Sequence, residues 1–183
     1  MRLKPTLWIM VAACSALIAG CAAPTKISTN KAQNYTTEPK RIFVLTDIGS
    51  DFGTEYANGF QRKAISIVKD CGAEMQVQFL SALELDESTY DQKRKAYKAD
   101  TVLSIKRAGG TKSEYGVLIQ VIYDIKLYDT LSNKVVWRAN TTFSRGGGLI
   151  PVVERGETLA IDLTNKMKED KVFQSCPLIK AAK

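Results

Sequence analysis

The sequence predicts an α/β (α+β) domain: a mixed sheet of about five strands with a long antiparallel hairpin, packed by two to three helices. Three observations predict it. Val117, Ile119, Val121, Tyr123, Ile125 and Leu127 occupy alternate places, and Val135, Trp137, Ala139, Thr141 and Phe143 do the same across a polar turn from Asp129 to Lys134, which is the period-two pattern of paired strands. Tyr56, Phe60, Ala64, Ile67 and Val68 fall at helical spacing, as do Leu159, Leu163 and Met167, so two amphipathic helices are expected. Ile42-Phe43-Val44-Leu45 is a short apolar run between polar residues, the mark of a strand buried on both faces.

Taken in order, the first strand is that apolar run, and it should sit centrally in the sheet. A loop with Gly49, Ser50, Asp51 and Gly53 leads to the first helix, with Glu55 near its start and Lys69 near its end to suit the helix dipole. Gly72 offers a left-handed stop. Met75, Val77 and Phe79 then alternate with Glu74, Gln76 and Gln78, which describes a half-buried second strand. Ser88 to Lys98 is a polar helix with Ser88 as its cap, and Thr101 to Ile105 returns to a strand. The hairpin follows, and a last helix covers Val153 to about Lys168. Strand, helix, strand, helix, three strands, helix is the order of a layered mixed sheet with right-handed early crossovers.

Ahead of this domain the chain has a different character. Arg2 and Lys4 precede an uncharged run from Leu7 through Ala19, the layout of a secretory signal, and too short for a bilayer core that needs about 20 apolar residues. Leu17-Ile18-Ala19-Gly20-Cys21 resembles the lipobox of bacterial lipoproteins. The resemblance implies cleavage before Cys21, diacylation of its sulfur, and a mature protein held by acyl chains, each methylene of which adds about 0.8 kcal/mol of membrane affinity. An ordinary signal peptide cut nearby, with Cys21 left as a thiol, is the alternative. Ala22 follows, whereas an aspartate there resembles the inner-membrane retention signal of enterobacterial lipoproteins, so the resemblance implies the periplasmic face of the outer membrane. Residues 1–20 are thus read as signal peptide, 21–40 as lipidated cysteine and disordered tether, and 41–183 as one domain. The tether reading rests on a segment rich in Thr, Lys, Asn, Ser and Pro. Such a tether spans about 24 Å on average and about 65 Å when stretched.

Cysteine content gives one more constraint. Of four cysteines, Cys14 leaves with the signal and Cys21 is acylated, so Cys71 and Cys176 remain. In an oxidising periplasm these two are expected to bridge, with two buried reduced thiols as the alternative. No C-x-x-C spacing points to a redox site. A bridge would join the ends of the first and last helices and so place both on one face of the sheet.

The segment Leu127-Tyr128-Asp129-Thr130-Leu131-Ser132-Asn133-Lys134-Val135-Val136-Trp137 resembles a hairpin found in small envelope lipoproteins with domains of the CsgG, TolB amino-terminal or LpoB type. The resemblance implies fold and compartment across most of residues 41–171. The chain is too short to spare the membrane-spanning hairpins that a curli-type pore needs, and its tether is shorter than that of LpoB-like activators.

Candidate chemistry is sparse. The chain has no histidine, which removes Ser-His-Asp and Cys-His catalysis and the commonest zinc ligand. Asp47 and Asp51, beyond the first strand, could form a carboxylate pair or cation site, but a turn and helix start is the simpler reading. Gly146-Gly147-Gly148 lacks the Gly-Lys-Ser/Thr of a phosphate loop and reads as a connector. Glu84, Asp86 and Glu87 read as a solvated loop. Lys93, Arg94, Lys95 and Lys98, with Lys106, Arg107 and Lys112, could form one basic surface or simply a solvated face. The 26 Lys and Arg against 19 Asp and Glu make a formal +7, and loss of Arg2 and Lys4 with the signal lowers it by two to +5. An exported chain of that charge meets phospholipid and wall polymers before nucleic acid. No cofactor is expected. The reading is a non-enzymatic, protein-binding accessory of an envelope assembly, with self-association open; the alternative is binding of peptidoglycan or lipopolysaccharide through the basic surface.

Overall fold

The computed structural model describes residues 25–174 apart from positions 82, 85, 87 and 145–149, together with Cys176 and Ile179. Six strands form one sheet: β1 (Lys26–Lys31), β2 (Arg41–Thr46), β3 (Glu74–Phe79), β4 (Thr101–Lys112), β5 (Leu118–Asp129) and β6 (Lys134–Ser144), in the order β1-β6-β5-β4-β2-β3. The helices are α1 (Gly49–Phe52), α2 (Thr54–Asp70), α3 (Ser88–Tyr97) and α4 (Val152–Glu169). β2 is parallel to both β3 and β4, and the other neighbours are antiparallel. This is the expected mixed α/β sheet, with one strand more than the sequence suggested.

The additional strand is β1. Residues 22–40 read as a disordered tether, yet Lys26–Lys31 pairs along β6 from Lys26↔Thr142 to Lys31↔Trp137. The Ala32 amide continues the ladder to the Val136 carbonyl at 2.9 Å, and Tyr35 is buried in the core. The strand carries little apolar alternation because it is an edge, where backbone hydrogen bonds to β6 hold it and lysines at both ends discourage further pairing. Composition does not register that kind of support.

α2 and α4 lie side by side on one face of the sheet and bury Tyr56, Phe60, Ala64 and Ile67 with Leu159, Leu163 and Met167 against Ile42, Val44, Leu103, Ile125 and Trp137. Their axes approach closely because each presents a glycine. A Cβ on Gly59 would collide with the Val153 carbonyl oxygen, and one on Gly156 with that of Tyr56. Cys71, just past α2, is bonded to Cys176, with Cα atoms 4.8 Å apart. Trp137 Nε1 donates to Asp170 Oδ2 at 2.7 Å, which fixes β6 to the far end of α4. α3 packs on the opposite face, where Tyr97 meets Phe43 at a ring-centroid distance of 6.2 Å. The chain moves outward from β2 to β3 and back across β2 to β4, so crossovers of one hand put α2 and α3 on opposite faces.

The hairpin of β5 and β6 departs from simple alternation at two places. Val121, Tyr123, Ile125 and Leu127 point into the core, but Val117 and Ile119 are exposed, because β5 runs past the edge of the helix layer. A register shift between Leu127 and Tyr128 buries Val136 beside Trp137 and turns Val135 outward. The turn between them is held by Asp129, whose carboxylate accepts from the Leu131 and Ser132 amides. β4 also extends to Lys112 rather than stopping at Ile105, so a second hairpin joins it to β5.

Alanine in place of glycine inside a helix ordinarily stabilises it by about 1 kcal/mol. Gly156→Ala should instead destabilise this domain by about 1–3 kcal/mol, since the helices must separate to admit the methyl group; urea unfolding of the variant measures the sign. Reducing Cys71–Cys176 releases a crosslink between residues 105 apart and should lower stability by about 4–5 kcal/mol. An unfolding midpoint indifferent to dithiothreitol would contradict this.

Candidate functional site

Among the described residues, the face of the sheet opposite α2 and α4 is covered only at its β3–β2 side, by α3. Beyond α3 it is open, and the strand registers set polar side chains in rows. One row runs Ser104, Lys126, Arg138, Asn30; the next runs Lys106, Asp124, Asn140, Ser28. Asp124 ties these rows together. Lys126 Nζ lies 2.9 Å from it, and Arg138 reaches both of its oxygens, at 3.0 and 3.2 Å. Partial burial pushes the Asp124 carboxyl upward, but the hydrogen bonds from Lys126 and Arg138 outweigh that and hold it below the usual carboxylate range. The face is therefore charged and tied across β5 and β6, and it is built by strands rather than loops.

The lysines and arginine of α3 do not form a single patch. Arg94 donates to Asp91 through two nitrogens, at 2.9 and 2.6 Å, and Lys95 reaches the other oxygen at 2.7 Å. Lys93 donates to Gln78 Oε1 at 3.0 Å. Lys98, in a left-handed conformation past the helix, lies at the Thr101 end of β4, whereas Lys112 is at the other end, about 36 Å away along a twelve-residue strand. What the fold does bring together is Arg94, Asp91 and Lys106. With Leu45, Leu80 and Tyr90 they line a cavity of about 230 Å³ beside the carboxyl ends of β2 and β3.

From the same end of the sheet the β4–β5 hairpin projects as an arm. β2 accompanies β4 only as far as Thr46↔Ile105. Where β2 stops, Asp47 takes over: its Oδ1 accepts from the Arg107 amide at 3.2 Å. Its carbonyl meanwhile accepts from the Ser50 amide, so Asp47 serves the turn and the strand edge. Asp51 lies in α1. Farther out, Gly116 adopts φ 75° to close the turn, and its amide donates to the Ser113 carbonyl at 3.0 Å. Tyr115, Val117 and Ile119 are 84%, 45% and 47% exposed. The sequence reading missed this arm, because it assigned Val117 and Ile119 to the core face and ended β4 at Ile105. Gly109 and Gly110 break the alternation that would have extended it.

The remaining candidates resolve locally. Asp86 accepts from the Ser88 amide and hydroxyl, both at 2.8 Å, and so caps α3. Glu84 accepts from the Asp86 amide at 3.3 Å. Among the described residues no three Cys, Asp or Glu gather as metal ligands. Cys21, Glu87 and Gly146-Gly147-Gly148 lie outside the described residues. At the end of the molecule away from the arm, Cys176, Lys31, Thr36, Lys168, Lys171 and Gln174 line a cleft of about 510 Å³. Burial lowers the pKa of the Lys168 ammonium.

Comparison with solved structures gives one likeness that bears on the fold. A variant PelC dodecamer from Paraburkholderia phytofirmans superposes with a TM-score of 0.50 at 14% identity, over 76% of this chain and 96% of the PelC chain. The domain shares the PelC fold. A second PelC dodecamer structure from the same organism gives 0.46 at 15% identity over 74% and 91% of the two chains. The lipoprotein GNA1162 from Neisseria meningitidis gives 0.42 at 15% over 72% and 99%. No family model matches the chain, and no curated protein matches it.

Because the folded-state pKa of Asp124 is depressed, the stability it contributes is present above about pH 4, the unfolded value, and is lost as pH falls through the folded one. Asp124→Asn should therefore cost about 0.5–1 kcal/mol at neutral pH and nothing in strong acid. Urea midpoints at the two pH values measure the difference.

Proposed function

We propose that this chain is an outer-membrane lipoprotein, acylated at Cys21 after removal of residues 1–20, and that its domain is a non-enzymatic, protein-binding accessory of an envelope assembly. The observation that carries this reading is the open sheet face. Lys126 and Arg138 on it are held by Asp124, and an open, strand-built surface without a deep cavity suits a macromolecular partner better than a small substrate. Likeness to PelC, whose structure is a dodecamer, supports assembly from copies of the same chain as one form of that partnership. The hairpin motif from Lys134 to Trp137 supports placing the domain beside the CsgG, TolB amino-terminal and LpoB type. Proximity to the membrane follows, since only residues 22–25 would separate an acylated Cys21 from β1.

Recognition of an anionic wall polymer through α3 has less support. Asp91 already engages Arg94 and Lys95, and Lys112 lies at the far end of β4 from Lys98. Cross-linking in intact cells should trap a discrete envelope protein or a ladder of self-adducts. Cys21→Ala should abolish co-fractionation with outer membrane. A uniformly monomeric lipidated protein without any trapped neighbour would sink the accessory role.

A further inference from the structure

The strand registers settle which end of the domain an anchor would hold. Lys26, the first residue of β1, pairs with Thr142; Thr142 pairs with Ile122, and Ile122 with Gly109. These four residues form one row across the sheet, and the arm projects from that row on the side from which the chain enters β1. Four residues, five backbone steps, link Cys21 to Lys26, a reach of at most about 17 Å. Lys112 and Leu118 stand about 10 Å beyond the row on the same side. In the opposite direction, Leu131 lies past the end of β5, about 24 Å from the Ile122 level, outside that reach.

We infer that the tip of the β4–β5 arm docks on the bilayer that holds the lipid anchor, with Tyr115, Val117 and Ile119 entering the headgroup region and Lys112 meeting lipid phosphate. This inference rests on the acylation proposed at Cys21. Its chemistry is that of an interfacial contact. Tyrosine is favoured at the boundary between headgroups and acyl chains, the two β-branched neighbours supply apolar surface that water otherwise covers, and a basic side chain pairs with anionic lipid. The arm is an antiparallel ladder, with register shifts between Arg107 and Gly109 and between Thr111 and Lys112, whose open edge is satisfied at its root by Asp47. Docking there gives the anchor a second point of attachment and holds the open sheet face upright from the membrane.

The test uses the full lipidated protein in vesicles of phosphatidylethanolamine and phosphatidylglycerol with brominated acyl chains, which quench tryptophan at short range. Two variants are compared, Tyr115→Trp and Leu131→Trp, against the constant background of buried Trp137. Residue 131 is 95% exposed and marks the far end. Docking requires strong quenching and a blue shift for Tyr115→Trp and neither for Leu131→Trp. Equal quenching of the two, or a blue-shifted Tyr115→Trp emission untouched by bromine because a second copy or another protein covers the tip, overturns the docking and leaves the anchor standing. Intact mass of the same preparation reports acylation, and a chain lacking acyl groups on Cys21 overturns the anchor reading and this inference with it.

Discussion

Six residues of β1 run antiparallel along β6, and that backbone ladder determines how the rest of the molecule is presented. Without it the sheet would end at β6, Ile27 and Tyr35 would leave the core, and the domain would hang from a loose segment of about twenty residues. With it, the chain joins the sheet beside Thr142, level with the root of the β4–β5 arm. Orientation relative to whatever lies upstream of residue 25 is thus a property of strand pairing. A ladder of this kind resists sliding, because a one-residue slip would expose Ile27 and bury its polar neighbours.

The opposite layer obeys a different constraint. Gly59 and Gly156 let α2 and α4 touch backbone to backbone, and the Cys71–Cys176 bond and the Trp137–Asp170 hydrogen bond secure the far ends of these elements. Phe52, Tyr56 and Phe143 close the near end, with ring centroids 5.0 to 5.9 Å apart. Two helices so placed can cover one face of a six-stranded sheet. Among the described residues the short α3 covers only part of the other, and the remainder carries Asn30, Asp124, Lys126, Arg138 and Asn140 beside Ile122, so it is mostly polar, stable in water and still available to a partner. The surface read as functional is in this sense the consequence of having one long helix pair and one short helix.

Charge follows the same division. Asp124 sits where partial burial makes an unpaired carboxylate costly, and Lys126 from its own strand and Arg138 from β6 satisfy it. On α3 the cations are arranged by helical spacing instead, and Asp91 three and four residues away takes Arg94 and Lys95. A run of basic residues along the chain therefore became a set of local pairs, and the cation that approaches Arg94 comes from β4, as Lys106.

Periodicity alone determined the helices α2 and α4, the β5–β6 hairpin and the buried strand β2, because each carries its own apolar pattern and needs no partner to be recognised. Cysteine content pointed to Cys71 and Cys176 as the pair to be joined only with the lipobox resemblance that set Cys14 and Cys21 aside. Tertiary structure alone decided the rest. β1 is held by hydrogen bonds to a strand more than a hundred residues away, which no local pattern reports. Val117 and Ile119 continue the alternation of β5 and are exposed all the same, because burial depends on whether a helix lies overhead, and the helix layer ends before them. The spread of Lys93, Arg94, Lys95, Lys98, Lys106 and Lys112 over the length of β4 has the same origin: proximity in sequence becomes proximity in space only where the chain turns back on itself.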